Sequence, residues 1–197
     1  MKKLLYGVFL LVATFPAYSG PFGLEMGQKI DDLKKIMDLK QNENNSGWYH
    51  TSTVPLPYAD FDEYVLSVLP EEGLCNVAGM SGPIKTDDNG VQFIKKYSRL
   101  ESLLITKYGK PFHRSFLPIK NWVERMHSGD KPMSLWSSKD WSIADSGLRN
   151  IKLQTDTISK DEVVINLVYF FDTTDKCVPL NPISKSLLLD LKNSSGL

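Results

Sequence analysis

Cysteine and histidine are scarce in this chain of 197 residues, and neither sign of charge is in excess. There are two cysteines and three histidines, and 23 basic residues balance 23 acidic ones. This balance is atypical of proteins that bind nucleic acid or adhere electrostatically to membranes, so neither partner is expected. His50, His113 and His127 lack the close spacing of helical or finger-type zinc ligands, and the sequence predicts no metal site and no cofactor.

Long apolar runs are absent except at the N-terminus. Two lysines precede an apolar run over residues 4–15, and the small residues Ala17 and Ser19 follow it. This pattern is typical of a secretory signal peptide, and about 12 apolar residues fall short of the roughly 20 that a membrane-spanning helix needs. The sequence therefore predicts a signal peptide over residues 1–19, cleavage before Gly20, and a soluble periplasmic or secreted protein with no membrane span after cleavage.

The two cysteines, Cys75 and Cys177, are predicted to form a disulfide bond. An isolated cysteine pair in an oxidising compartment is more often bridged than free. Neither cysteine belongs to a Cys-x-x-Cys motif and no Cys-His signature surrounds them, so a redox or nucleophilic thiol is the less favoured alternative. The bridge would tie the last strand to an earlier one.

Hydrophobic periodicity and turn residues divide the mature chain into helices and strands. Three helices are predicted. The first covers residues 29–39, and the second has about 18 residues and ends before Gly109. The third begins at Asn181-Pro182 near the C-terminus and carries Leu187, Leu188 and Leu191. The predicted strands cover residues 48–54, 63–69, 74–79, 133–138, 151–157 and 163–171. This order indicates an α+β protein in which helices pack on one face of an antiparallel sheet. Residues 20–197 form either one undivided domain or two tandem αβββ units, with halves 20–83 and 84–197, plus the C-terminal helix.

Several phrases resemble exported bacterial proteins of the periplasm that have not been characterised. They are Phe22–Gly27, Leu104–Pro111, and the later order of Trp136, Ile151–Leu153, Tyr169–Phe171 and Cys177. The element order is also similar to the αβββ domains of the β-lactamase inhibitor protein and of small outer-membrane assembly lipoproteins. These families imply protein binding rather than catalysis. The chain lacks the lipid-bearing cysteine of the lipoproteins, so the resemblance does not imply a membrane tether.

Two motifs suggest catalysis as an alternative. Asp60, Asp62 and Glu63 would supply the pair of carboxyl groups that glycoside hydrolysis requires. Residues 79–82 resemble a nucleophile elbow, but the second glycine follows Ser81 directly instead of after one residue. A cell-envelope hydrolase that uses Asp or Glu is therefore the alternative function, and a non-enzymatic role is favoured.

Alternation along the strands predicts a binding surface on one face of the sheet. In the last strand every second residue from Val163 to Phe171 is apolar, and this set is expected to face the helices. The residues between them then lie on the opposite face. Lys152, Gln154 and Asp156 alternate with apolar residues and indicate that this opposite face is wetter. The predicted binding residues are Trp48, Lys152, Gln154, Asn166, Val168 and Phe170, with Phe170 as the anchor. The sequence thus predicts a periplasmic binding or inhibitor-like interaction protein with another envelope protein as partner, or a non-catalytic assembly factor.

Overall fold

A computed structural model describes residues 20–43, 45–86, 90–111, 113–114, 139–142, 147–159, 161–171 and 177. Within these residues the protein combines two α-helices with one antiparallel sheet of nine strands, after a short 3-10 turn at Pro21–Gly23. The helices are α1 (Ile30–Ile36) and α2 (Val91–Tyr108). The strands are β1 (Lys40–Asn42), β2 (Asn45–Thr51), β3 (Glu63–Leu69), β4 (Gly73–Met80), β5 (Ile84–Lys85), β6 (His113–Arg114), β7 (Lys139–Ser142), β8 (Leu148–Thr157) and β9 (Glu162–Phe171).

The sheet joins an early and a late group of strands at its centre. The strand order is β1-β2-β3-β4-β9-β8-β7-β6, and β5 pairs with β9 beyond the end of β4. Strands that are consecutive in the chain pair within each group, while β4 and β9 pair antiparallel with Ala78 opposite Val168. Residues 20–83 and 84–197 therefore contribute to one continuous sheet.

The main apolar core lies on the sheet face that carries the alternate residues from Val163 to Phe171. One buried cluster contains Ile165 and Tyr169 of β9, Leu33 of α1, and Phe93 and Leu104 of α2. The apolar stripe of α2 is thus buried with the uniformly apolar side of β9. This face is called the first face below.

Close approach at Gly79 allows aromatic rings to fill one part of this core. A Cβ atom at Gly79 would lie 2.7 Å from Cδ2 of Phe61 and 2.9 Å from Cζ of Phe22, so only glycine fits without a shift. The Phe22 ring also packs edge-on against Tyr64 and Tyr169, at centroid distances of 4.9 and 5.5 Å. The phrase Phe22–Gly27 therefore has a structural role, because its first residue closes the core.

Most local predictions within the described residues are confirmed, with shifts at the ends of elements. The β3–β4 hairpin and the 18-residue helix α2 form as expected. The predicted helix 29–39 is shorter because Met37 is extended, and the predicted strand 48–54 lies earlier as β2. The predicted strand 133–138 and the C-terminal helix lie outside the described residues, whereas β7 forms just after the former.

The described residues contain no helix that is both long enough and apolar enough to cross a membrane.

Candidate functional site

The predicted binding residues share the side of the sheet opposite the main core, called the second face. The register places Gln154 opposite Asn166 and Lys152 opposite Val168, and Phe170 follows two residues later on the same side. Phe170 pairs with Asn76, Asn76 with Ser67, and Ser67 with Trp48. Directly opposed side chains lie on the same side of a sheet, so Trp48 lies on the same side as Phe170. All six predicted residues therefore lie on this face.

The centre of the second face is buried rather than open. The exposed fraction is 7% for Phe170, 2% for Val168, 1% for Gln154 and 0% for Asn166. Phe170 is therefore not exposed as the anchor that the sequence predicts, and the expectation of a wetter face at Gln154 is corrected as well. Alternation identifies the side of the sheet on which a residue lies, but it contains no information about what covers that side.

A second apolar cluster forms the middle of this face. Val65, Ala78, Met80, Val168 and Phe170 are buried together, and half-buried Trp48 packs against them. The residues of β3 and β4 in this cluster, Val65, Ala78 and Met80, were not predicted from the sequence. The sequence shows that Ala78 and Met80 lie on the same side of β4. Only the pairing of β4 with β9 places them beside Val168.

A polar cluster of Gln154, Asp156 and Asn166 borders the apolar residues. The side-chain amide of Asn166 donates a hydrogen bond to Oδ2 of Asp156 at 2.6 Å. Neither amide atom of Gln154, nor Oδ1 of Asn166, finds a hydrogen-bond partner in the described structure. Each buried polar group without a partner costs about 1–3 kcal/mol of stability. The polar cluster therefore weakens the fold at a central position.

The polar cluster contains an acidic group, Asp156, and a basic residue, Lys152, lies near it on the same face. Burial raises the pKa of Asp156 to about 6, and the hydrogen bond from Asn166 partly offsets this rise because it favours the carboxylate. On the other side, Nζ of Lys152 lies 5.9 Å from the centre of the Phe170 ring, within range of a cation–π contact. The face therefore combines a carboxyl group whose pKa is raised to about 6, two amides and an aromatic ring.

A histidine lies towards the β1 edge of the same face. Nδ1 of His50 lies 3.3 Å from Oε1 of Glu63, outside good hydrogen-bond geometry, so the two groups attract only when His50 is protonated. The other ring nitrogen lies 3.5 Å from Nδ2 of Asn42. His113 is on β6, which lies six positions from β2, the strand of His50, in the order of the sheet.

The described part of the chain contains no candidate metal centre. Among the residues with a described placement, no group of three or more His, Cys, Asp or Glu side chains is close enough to hold a metal ion. His127, the third histidine of the sequence, lies outside the described residues.

The three carboxyl groups considered for glycoside hydrolysis do not converge. Asp60 binds Arg99 and lies 4.0 Å from Lys96, both on α2, whose buried residues pack at the first face. Glu63 lies on the second face opposite Met80, and Asp62 accepts a hydrogen bond from the backbone of Gly82 at 2.7 Å. Each carboxyl group therefore has a structural partner of its own, and Asp60 and Glu63 lie on different sides of the sheet.

Ser81 continues the pairing of β4 with β9. Its hydroxyl accepts a hydrogen bond from the backbone N–H of Ile165 at 2.9 Å and donates one to the carbonyl of Gly82 at 3.0 Å. The side chain is buried. These bonds give Ser81 a structural role. This role agrees with the glycine spacing around Ser81, which differs from that of a nucleophile elbow.

The two cysteines lie at disulfide-bonding distance, as predicted. The Cα atoms of Cys75 and Cys177 are 5.5 Å apart, and the link joins residues 102 positions apart in the chain. Cys75 belongs to β4 beside Asn76, whose strand partner is Phe170. The bridge therefore holds the chain that follows β9 next to the centre of the sheet.

Comparison with models of known protein families gave no match, and neither curated proteins nor solved structures gave a significant one.

Proposed function

We propose that the mature chain is a non-enzymatic binding protein of the bacterial envelope, and that its second face binds a polypeptide segment of another envelope protein. The observation that carries this proposal is the buried polar cluster of Gln154, Asp156 and Asn166. A sheet face that served only stability would be filled with apolar side chains. Natural proteins tend to retain costly local arrangements where they have a function.

The chemistry of the polar cluster favours a polypeptide as ligand. The amides of Gln154 and Asn166 each both donate and accept hydrogen bonds, as do the N–H and C=O groups of a peptide backbone. Val168, Phe170 and Trp48 add apolar and aromatic contact area beside these amides. The centre of the face is buried in this structure, so binding requires that these side chains become exposed.

The topology supports the proposal that the domain consists of two tandem αβββ units. In residues 20–83, α1 precedes β2, β3 and β4, and the three-residue strand β1 adds an edge to this group. In residues 84–197, α2 precedes β7, β8 and β9, and the two-residue strand β6 adds the opposite edge. The last strands of the two groups, β4 and β9, meet antiparallel at the centre. This arrangement fits two similar units related by an approximate twofold axis.

Export to the periplasm or the medium is part of the proposal. It rests on the leader over residues 1–19, and the disulfide geometry is compatible with an oxidising compartment. The intact mass of the exported protein tests the leader, because cleavage before Gly20 gives a single mass. A product that retains Met1 would contradict export by this route.

A capture experiment with paired variants tests the binding proposal. Mature protein is immobilised and exposed to an envelope extract, and each retained protein is purified and its affinity measured. Gln154→Leu/Asn166→Leu removes both amides with little change in volume, and Gln92→Leu on the exposed side of α2 is the matched control. We expect the double variant to bind at least tenfold more weakly and the control to bind normally. Equal affinity of all three proteins, or no retained protein at all, would contradict the proposal.

A further inference from the structure

Asp156 is a partly buried carboxyl group in the polar cluster of the second face. Its Oδ2 accepts a hydrogen bond from the amide nitrogen of Asn166 at 2.6 Å. Oδ1 of Asn166 and Oε1 of Gln154 are buried in the same cluster and have no hydrogen-bond donor in the described structure. An ionised carboxyl group only accepts hydrogen bonds, whereas a protonated one also donates. Protonation of Asp156 therefore supplies a donor to a cluster that holds two amide oxygens without one.

The charged groups on the strands next to Asp156 lie further along the sheet or in pairs of opposite sign. Nζ of Lys152 lies 5.9 Å from the centre of the Phe170 ring, and Phe170 pairs with Asn150, further from Asp156 along β8. On β5 and β9, Lys85 and Glu162 lie opposite each other. Burial is the main cause that raises the pKa of Asp156 to about 6. The ionised form is therefore costly because water is excluded from it.

The remaining titratable groups of the second face belong to β2 and β3. Nδ1 of His50 lies 3.3 Å from Oε1 of Glu63, and β4 and β9 separate these strands from β8. On the other side of β8, the described pairing with β7 ends at Leu153 and does not reach Asp156. A histidine ordinarily titrates near pH 6.5, so a test of Asp156 must separate it from His50.

We propose that Asp156 is a pH-sensitive switch that regulates binding at the second face, and that acidification weakens binding. This regulation rests on the proposed function, in which Gln154 and Asn166 become exposed to contact a polypeptide. The buried arrangement favours the protonated carboxyl group, which has no charge and donates to an amide oxygen. In the exposed arrangement, water or a peptide N–H favours the carboxylate. Proton uptake by the buried arrangement therefore opposes the exposure that binding requires.

The direction and size of the effect follow from the linkage between proton binding and exposure. The pKa is about 6 in the buried arrangement against an ordinary value of 3.8, so acid stabilises burial and this stabilisation is lost as the pH rises above about 6. At pH 7.5 both arrangements are ionised and the proton has almost no effect. At pH 5 the buried group is mostly protonated and the exposed group mostly ionised, which lowers the affinity about tenfold.

Thiol labelling of the mature protein tests the switch without a partner. Val168→Cys places a thiol in the second face and Val163→Cys places one in the core of the first face, and both native side chains are buried. Each labelling rate is divided by that of Ser52→Cys, at an exposed position, which removes the pH dependence of the thiol reaction. We expect the ratio for Val168→Cys to be about tenfold lower at pH 5 than at pH 7.5.

The two buried thiols distinguish exposure of the second face from unfolding of the whole domain. At pH 7.5 we expect Val168→Cys to react at least tenfold faster than Val163→Cys, because the second face becomes exposed while the first-face core stays intact. Equal rates at the two positions would mean that the second face is exposed only by global unfolding, and would overturn the switch.

Background variants separate Asp156 from the other titratable groups. Asp156→Asn takes up no proton, so the ratio for Val168→Cys should then agree within twofold at the two pH values. His50→Gln should keep the tenfold difference, and so should Asp38→Asn, which changes an exposed carboxyl group. A difference that survives in Asp156→Asn, or one that disappears in His50→Gln, would overturn the switch.

Affinity measurements test the regulatory role. Each protein that is retained from the envelope extract is purified and titrated at pH 5 and pH 7.5. We expect the wild type to bind it about tenfold more weakly at pH 5, and Asp156→Asn to bind it equally at both pH values. Equal affinity of the wild type at both pH values, or an unchanged difference in Asp156→Asn, would overturn the regulation. Retention of no protein contradicts the proposed function, whereas the labelling result decides independently whether Asp156 controls exposure.

Discussion

Asn166 donates its side-chain amide to Asp156, although Gln154 is the residue directly opposite it in the sheet. Asp156 pairs with Val164, so the 2.6 Å hydrogen bond runs diagonally between β9 and β8. This diagonal bond satisfies the amide nitrogen of Asn166 and leaves Gln154 without a described partner. The central polar residues of the second face are therefore only partly satisfied.

Replacing Asp156 with Asn should stabilise the protein at neutral pH. The folded-state pKa is about 6 against an ordinary value of 3.8, so the folded protein holds this proton more tightly than the unfolded chain. Stability is therefore lost as the pH rises from about 4 to above 6, by up to about 3 kcal/mol for this shift. We expect Asp156→Asn to raise the free energy of unfolding by up to that amount at pH 7.5, and to change it little at pH 4.

Urea unfolding at pH 4, 6 and 7.5 measures this effect. Asp38→Asn, at an exposed position, is the control and should have little effect at any of these pH values. A change of the same size for Asp156→Asn at pH 4 and pH 7.5 would show that Asp156 does not titrate as expected.

Removing the hydroxyl of Ser81 should weaken the junction of β4 and β9. Ser81→Ala leaves the backbone N–H of Ile165 without its 2.9 Å acceptor in a buried position, which costs about 1–3 kcal/mol. Ser52→Ala, at an exposed position, should change stability by less than about 0.5 kcal/mol. Chemical denaturation of both variants provides the comparison, and equal stability would remove the structural role assigned to Ser81.

Breaking the contact between Asp60 and Arg99 should loosen the loop before β3 from α2. The Asp60 side chain is only 6% exposed, whereas that of Arg99 is 56% exposed, so Arg99→Ala strands a buried carboxylate with Lys96 4.0 Å away. We expect a loss of about 1–3 kcal/mol in the free energy of unfolding, reduced by the solvent around Arg99. Lys95→Ala, an exposed neighbour on α2, is the control.

A double-mutant cycle separates this pair from other effects of Arg99. Asp60→Asn/Arg99→Ala should lose less stability than the sum of the two single changes. Simple additivity would mean that the two side chains do not interact in solution.

The disulfide should be a large contributor to stability. The link closes a loop between residues 102 positions apart, for which the entropy of the unfolded chain gives up to about 4.7 kcal/mol. We expect Cys177→Ser to lower the melting temperature, and reduction of the wild-type protein to lower it similarly. Peptide mapping without reduction should yield one cross-linked fragment that contains Cys75. Alkylation of both cysteines without prior reduction would contradict the bond.

The sequence by itself determined those elements whose patterns involve only residues that are close together in the chain. Alternation predicted the faces of β9, and Pro70 to Gly73 predicted the turn of the β3–β4 hairpin. The end of α2 was predictable because Gly109 has a positive φ of 80°, which glycine adopts more readily than other residues, and because Pro111 follows closely. Each of these features depends on residues within a few positions of one another.

Only the tertiary structure decided what surrounds these elements. The pairing of Ala78 with Val168 joins residues 90 positions apart, and no local pattern specifies it. This pairing also brings Phe170 opposite Asn76 in a buried apolar cluster, so that Phe170 is a buried residue rather than an exposed anchor. The hydrogen bond between Asn166 and Asp156 joins residues ten positions apart on the β8–β9 hairpin, but alternation alone did not specify it. A period of two assigns a side chain to one side of a strand, but its burial and its hydrogen bonds depend on distant segments that fold against that side.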